Sequence, residues 1–245
     1  MLVVGVAACG GGSSSNTGVD TATTGLQQAP FTDNRSGLVK PDPSSDAANR
    51  NPSPLGPSVN YNDPPPPIAA GVQAAAQTAG CVVKSWPSEA NPQSHIDGES
   101  STVISVPPLS GAHNARWADW GVYNQPVPFK HQMHNLEHGG VFVHYGRDVP
   151  VEGVNAIREW WAKSPSFLIV APDTAPQFPV NAVVVGSQQR WMVCKPFNAA
   201  QIAAIDAFAK EYRGRGPEQI RAVNSGDPRP DGLPAPVISD KGAEV

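Results

Sequence analysis

Prolines divide this 245-residue chain before any other feature does. Many of its 27 prolines stand before Pro67, and the crowding ends in the run Pro64, Pro65, Pro66 and Pro67. Proline fixes φ, gives up its N–H and pushes the preceding residue out of the helical region. The first quarter of the chain also lacks the regularly spaced apolar residues that a core needs, so it reads as a tether and not as a domain. Residues 10–75 are expected to be disordered, starting Gly- and Ser-rich and ending as a stiff polyproline II spacer. From residue 76 to 223 the chain gains apolar periodicity over a span the size of one ordinary domain. Residues 224–245 return to Pro, Gly and Asp and are expected to be a disordered tail.

Charge removes one broad class of function. The 17 basic residues are dispersed among 21 acidic ones for a formal net charge of −4, which leaves no basic stripe to neutralise phosphates and argues against a nucleic-acid partner. No run of about 18 apolar residues occurs, so no transmembrane helix is expected.

The first nine residues resemble the end of a bacterial lipoprotein signal. Val6, Ala7 and Ala8 fill the small-residue positions, Cys9 follows, and a glycine and serine run extends from Gly10 to Ser15. The resemblance implies lipidation of Cys9, a membrane partner through that lipid, and residence in the cell envelope on the periplasmic or outer surface. Met1 directly precedes Leu2, so the basic region and half of the apolar region of a complete export signal are missing, and the true start is expected upstream. With Cys9 assigned to lipid, Cys81 and Cys194 remain. In an oxidising compartment they are expected to pair; the competing reading makes Cys194 a soft metal ligand and Cys81 a buried thiol.

Within the globular span, residues 141–145 form a strand signal introduced by Gly139 and Gly140. Val154, Ile157, Trp160 and Trp161 recur at helical spacing over 152–164, and Pro165 ends that helix. A strand is expected at 167–170, then a hairpin of 180–185 with 190–194 turning at Gly186 and Ser187. A last helix is expected after an Asn198 cap, with Gly214 closing it. The order predicts an α+β class: a single small mixed domain with one short sheet and two main helices. Residues 107–128 carry Trp117, Trp120 and Tyr123 with little periodicity, and this loop is read as a candidate pocket wall, against a default of core packing.

All six histidines lie between His95 and His144. His134-Asn135-Leu136-Glu137-His138 places two imidazoles four residues apart, on one face of a helix, with His131 on the same face. Imidazole is the commonest transition-metal ligand, and zinc or copper needs three or four such groups. H-x-x-E-H is also an inverzincin protease pattern, but Pro126 and Pro128 on one side and Gly139 and Gly140 on the other leave too short a helix for it. S-ribosylhomocysteine lyase has a similar histidine pair with a cysteine ligand, a part that Cys194 would fill, yet the rest of the chain does not resemble it. His131, Met133 and His144 add a copper flavour, although methionine more often fills core gaps.

A closer resemblance rests on Pro107-Pro108-Leu109-Ser110-Gly111-Ala112-His113, on Trp117 and Trp120-Gly121-Val122-Tyr123, and on His134 through Val141. With His95-Ile96 and the stretch from Tyr212 to Glu218, these residues resemble the bacterial family known as domain of unknown function 3105. The resemblance spans about residues 80–218 and singles out His95, His113, His134, Glu137 and His138, with Tyr123 beside them. His131, Met133 and His144 lie outside its pattern, and Ala112 stands where a proline is usual.

The leading expectation is a lipid-anchored protein that binds a transition metal ion, copper or zinc, through His95, His113, His134 and His138, with Glu137 orienting a ligand. One rival is a metal-dependent hydrolase with Glu137 as general base on a metal-bound water. The other is a metal-free interaction module that binds a protein partner through the aromatic loop.

Overall fold

In the computed structural model, the described residues are 27–42, 67–88, 92–97, 105–218 and 233–239. Cys9 and the lipoprotein resemblance around it lie outside them. Among these residues there are four α-helices and seven strands: α1 (Ala70–Thr78), β1 (Cys81–Ser85), β2 (Gly121–Val122), α2 (Phe129–Glu137), β3 (Val141–Gly146), α3 (Val151–Lys163), β4 (Leu168–Asp173), β5 (Val183–Ser187), β6 (Arg190–Cys194), α4 (Ile202–Tyr212) and β7 (Ile238–Ser239). They make one mixed sheet in the order β1-β6-β5-β3-β4-β2-β7. The class is α+β, as the element order predicts, but the sheet is larger and the helices more numerous than one short sheet and two helices.

Strand β3 sits centrally because every one of its residues is buried. Such a strand needs cover on both faces. It pairs parallel with β4 and antiparallel with β5, and α3 is the crossover that the parallel pair requires. Alternation then sorts the side chains. Val141, Val143 and Tyr145 join Leu168, Val170, Val183 and Val185 in a cluster with the apolar faces of α1, α3 and α4. Phe142, Ile169, Ala171 and Val184 face the other way, against Leu109, Trp120, Tyr123, Phe129 and Leu136. The sheet thus carries three helices on one side, and on the other the 107–128 loop with α2. The second side holds the histidines.

Two stretches expected in the tether and the tail instead lie on the fold. Within 27–42, Asn155 on α3 donates to Gly37 O at 2.8 Å and accepts from Val39 N at 2.9 Å, Thr174 donates to Ala29 O at 2.7 Å, and Arg35 donates to Val149 O. These contacts satisfy backbone groups that composition alone would leave to water. Residues 70–75, also within the expected tether, form most of α1, whose Val72 and Ala76 are buried. In the tail, Ile238 and Ser239 pair antiparallel with β2.

The hairpin turns at Gln188 and Gln189, since Ser187 pairs with Arg190 and Gln189 has φ 60°. Gly186 is there for another reason: a Cβ at this position would lie 2.1 Å from the Phe142 ring. Cys81 and Cys194 are cross-strand partners in β1 and β6 and form a disulfide, so Cys194 is not a metal ligand. Among the described residues, no helix is long and apolar enough to cross a membrane.

Candidate metal centre

The motif from His134 to Gly140 lies on α2 and the turn that follows it. Pro128 and its φ of −56° set the entry to the helix, and eight of its nine residues are buried. Each motif side chain has a separate job. Asn135 clamps the aromatic loop, accepting from Ala118 N at 2.9 Å and donating to Ala118 O at 2.7 Å. Leu136 packs in the core beside Trp120 and Phe142. Gly139 has φ 82°, which ends the helix in the left-handed region, and a Cβ there would meet Gly214 at 2.8 Å.

His134 and Glu137 face His113 from the loop and His95 from the 92–97 segment. One ligand atom from each of the four lies within 4.8 Å of the other three. Residues 92–97 are held by backbone bonds on either side of His95, Ile96 N to His113 O at 2.7 Å and His113 N to Ser94 O at 3.0 Å. Three separate stretches of chain therefore meet at one point. His113, His134 and Glu137 are buried, whereas His95 is exposed.

Hydrogen bonds at the outer ring nitrogens fix which nitrogen faces inward. His113 Nδ1 lies 2.8 Å from Gly111 O, and His134 Nδ1 lies 2.9 Å from Asn114 O. A carbonyl only accepts, so each Nδ1 carries a proton and each ring turns its Nε2 toward Glu137. Burial, reinforced by the neighbouring His138 and His113, pushes His134 down to about 4 against the opposing pull of the Asn114 carbonyl. At neutral pH it is a free base. Glu137 Oε2 is 3.0 Å from His113 Nε2 and 4.0 Å from His134 Nε2.

The remaining residues named from sequence divide clearly. His138 is not in the four-residue group: it caps α2, and its ring stacks on His134 at 4.9 Å between centroids. The i,i+4 spacing does bring the two imidazoles together, but side by side; the i,i+3 residue, Glu137, reaches the centre. Trp117 makes T-shaped contacts with both His134 and His138, with centroids 5.2 and 5.3 Å away. Trp120 and Tyr123, named as a candidate pocket wall, are 0% and 1% exposed in the core, and the Tyr123 hydroxyl donates to Asp119 O at 2.6 Å. His131 bonds Arg116 O through Nδ1 at 2.7 Å, and Met133 is buried in α2. His144 is on β3, where its Nδ1 pairs with Asp173 Oδ2 at 2.8 Å. Sequence reasoning had no signal for the Gly111 and Asn114 carbonyls, because any residue supplies one.

A family model described as Protein of unknown function (DUF3105) matches residues 95–225, a little over half of the chain. The chain belongs to this family. No curated protein and no solved structure matches it. The DUF3105 match begins at His95 itself, contains all four members of the cluster and runs past the turn after α4 that packs on Gly139. It leaves α1 and β1 outside. The histidines and the element that buttresses their helix thus fall within one matched span.

Proposed function

We propose that this chain is an exported, lipid-anchored protein that binds one transition metal ion through His95, His113, His134 and Glu137. One observation carries the metal reading. His113 Nε2 and a carboxylate oxygen of Glu137 lie 3.0 Å apart in a buried site, and a ring nitrogen from each of His95 and His134 lies within 4.8 Å of the same atoms. A cation held among such groups compensates the buried carboxylate. The carbonyls behind His113 and His134 supply the orienting partners that metal-bound imidazoles ordinarily have.

Three nitrogens and one carboxylate oxygen suit Zn²⁺ or Cu²⁺. Sulfur does not take part, because Cys194 is in a disulfide and Met133 lies in the core. The 4.8 Å spread exceeds the roughly 3.4 Å edge of a tetrahedron with bonds of about 2.1 Å, and exposed His95 is the ligand freest to close it. Export and lipid anchoring rest on the Val6-Ala7-Ala8-Cys9 sequence and the Gly- and Ser-rich run after it. With Glu137 as ligand its carboxylate is not the free base that a metal hydrolase needs, so carriage or storage of the ion ranks above catalysis.

Glu137→Gln tests this role. Calorimetric titration with Zn²⁺ and Cu²⁺ is expected to show affinity reduced at least about tenfold, as disturbance of metal-site groups does. Unchanged affinity together with lost turnover on a hydrolysable ester would instead place Glu137 as a general base.

A further inference from the structure

The four members of the metal centre are not alike. His113, His134 and Glu137 are 1%, 4% and 2% exposed, whereas His95 is open to solvent. The two buried rings are also oriented from behind, by Gly111 O at His113 Nδ1 and by Asn114 O at His134 Nδ1. Among the described residues His95 has no such orienting partner. Its ring meets other rings instead, in a T-shaped contact with His113 at 5.3 Å and stacked on His134 at 5.1 Å between centroids.

The main chain on either side of His95 is fixed all the same, by Ile96 N donating to His113 O at 2.7 Å and His113 N donating to Ser94 O at 3.0 Å. Rotation of the His95 side chain therefore withdraws its nitrogen from the cluster while the backbone stays paired. Exposed side chains change rotamer on the picosecond-to-nanosecond scale. Withdrawing His113 or His134 instead breaks a hydrogen bond inside a buried site, and withdrawing Glu137 moves a buried carboxylate away from the charge that compensates it. The place that His95 leaves lies against the His134 ring, with the two planes 27° apart, a shape that suits another flat aromatic donor. A neutral imidazole there also leaves the net charge of the site unchanged.

We propose that His95 is the exchangeable ligand of the metal centre, and that an imidazole from outside the chain, presented by an acceptor protein, takes its place when the ion is handed on. This rests on the metal-binding reading above and adds the face through which the ion leaves and the chemistry of the group that receives it. In the exchange a bond forms between the metal and the incoming ring nitrogen, and the bond between the metal and His95 breaks. No electron moves, and both rings stay neutral. Zinc sites accommodate a fifth donor in passing, so the new bond forms before the old one is lost. His113, His134 and Glu137 hold the ion during this step, and further donors of the acceptor compete for it from the same side.

The test titrates Zn²⁺ and Cu²⁺ into the full wild-type chain and into His95→Gly, with and without free imidazole or acetate. His95→Gly is expected to bind at least about tenfold more weakly than wild type. Millimolar imidazole, the range in which a free group matches a tethered one, should restore most of that loss, and acetate should not. Unchanged affinity in His95→Gly overturns the proposal, as does weakened affinity that imidazole leaves unrestored. Should the variant fold poorly, the wild type gives an independent readout, the rate at which Cu²⁺ passes to the chelating tripeptide Gly-Gly-His. That rate should rise in proportion to peptide concentration; a rate independent of it means that the ion leaves only after the site opens by itself, and overturns the proposal. Failure of the underlying reading looks different: wild-type chain that takes up neither ion removes the metal centre itself, whereas the outcomes above are read with metal bound to the wild type.

Discussion

His134 shows how one side chain ties the site to stability. Its folded-state pKa lies near 4 because burial disfavours the charged ring, whereas in an unfolded chain it titrates near 6.5. Between those values the unfolded state binds the extra proton, so stability is lost as pH falls from about 6.5 toward 4. The side chain is only 5% exposed, so screening changes little, and the full contribution is about 3 kcal/mol. Urea unfolding of metal-free protein at pH 7 and pH 4.5 should show this decline, and His134→Gln should flatten it. Equal pH dependence in the variant would contradict the assignment. The same low pKa keeps the ring available to a metal in mildly acidic surroundings, where an exposed histidine would already be protonated.

At the level of elements, α2 is a short helix whose C-terminal turn is held by two neighbours. The 107–128 loop is fastened to it by Asn135, and the turn after α4 packs on its C-terminus, with Gly214 N donating to Gly139 O at 2.8 Å and Glu218 N donating to Glu137 O at 3.0 Å. Gly216→Ala would drive a methyl into Glu137 O and Gly139 N, each 2.1 Å from the ideal Cβ. Both contacts are backbone, so the helix end must move; the expected loss is about 2–3 kcal/mol of stability with weakened metal binding. Gly71→Ala is the control. It lies exposed in α1 with nothing within 4 Å of its Cβ and should be neutral or stabilise by up to about 1 kcal/mol.

Legibility from sequence followed element length and context. The long apolar periods of α3 and α4 and the Val-rich β3 were readable, as was the Asn198 cap, which forms a capping box with Gln201. Strands β2 and β7 are two residues each and exist only because a neighbour pairs with them, so no local pattern marks them. Helix α1 has a run of alanines where an apolar stripe would show. Gly186 was misread as a turn because the ring it accommodates, Phe142, is distant in sequence. At the site, histidine clustering points to His95, His113 and His134, which the structure groups with Glu137; spacing points to His138, and only the direction in which α2 presents its side chains to the two loops puts Glu137 in that group.

For the whole molecule, the disulfide between Cys81 and Cys194 spans 113 residues of sequence and encloses the entire site. Cross-linking a loop of that length stabilises by about 4–5 kcal/mol in the chain-entropy account. It also locks edge strand β1 to β6, across the sheet from the parallel strands. A Cys81→Ala, Cys194→Ala double variant should therefore unfold at markedly lower urea concentration than the wild type, with metal affinity altered far less than stability, because both cysteines lie on the helix-covered side of the sheet. An equal and large loss of both would mean that the site depends on the sheet edge more than its contacts indicate. The architecture as a whole places a doubly covered sheet behind a cluster drawn from three separate stretches of chain, an arrangement in which a bound metal ion would fasten irregular segments to the sheet.

The most direct test is metal content. Full-length protein, expressed under oxidising conditions and purified without chelator, would be assayed by inductively coupled plasma mass spectrometry beside a His113→Ala, His134→Ala double variant, each before and after reconstitution with zinc and copper. Close to one zinc or copper ion per chain in the wild type, and loss of that ion in a variant that remains folded, is the predicted result. Wild-type protein that stays folded and metal-free even after reconstitution would contradict it.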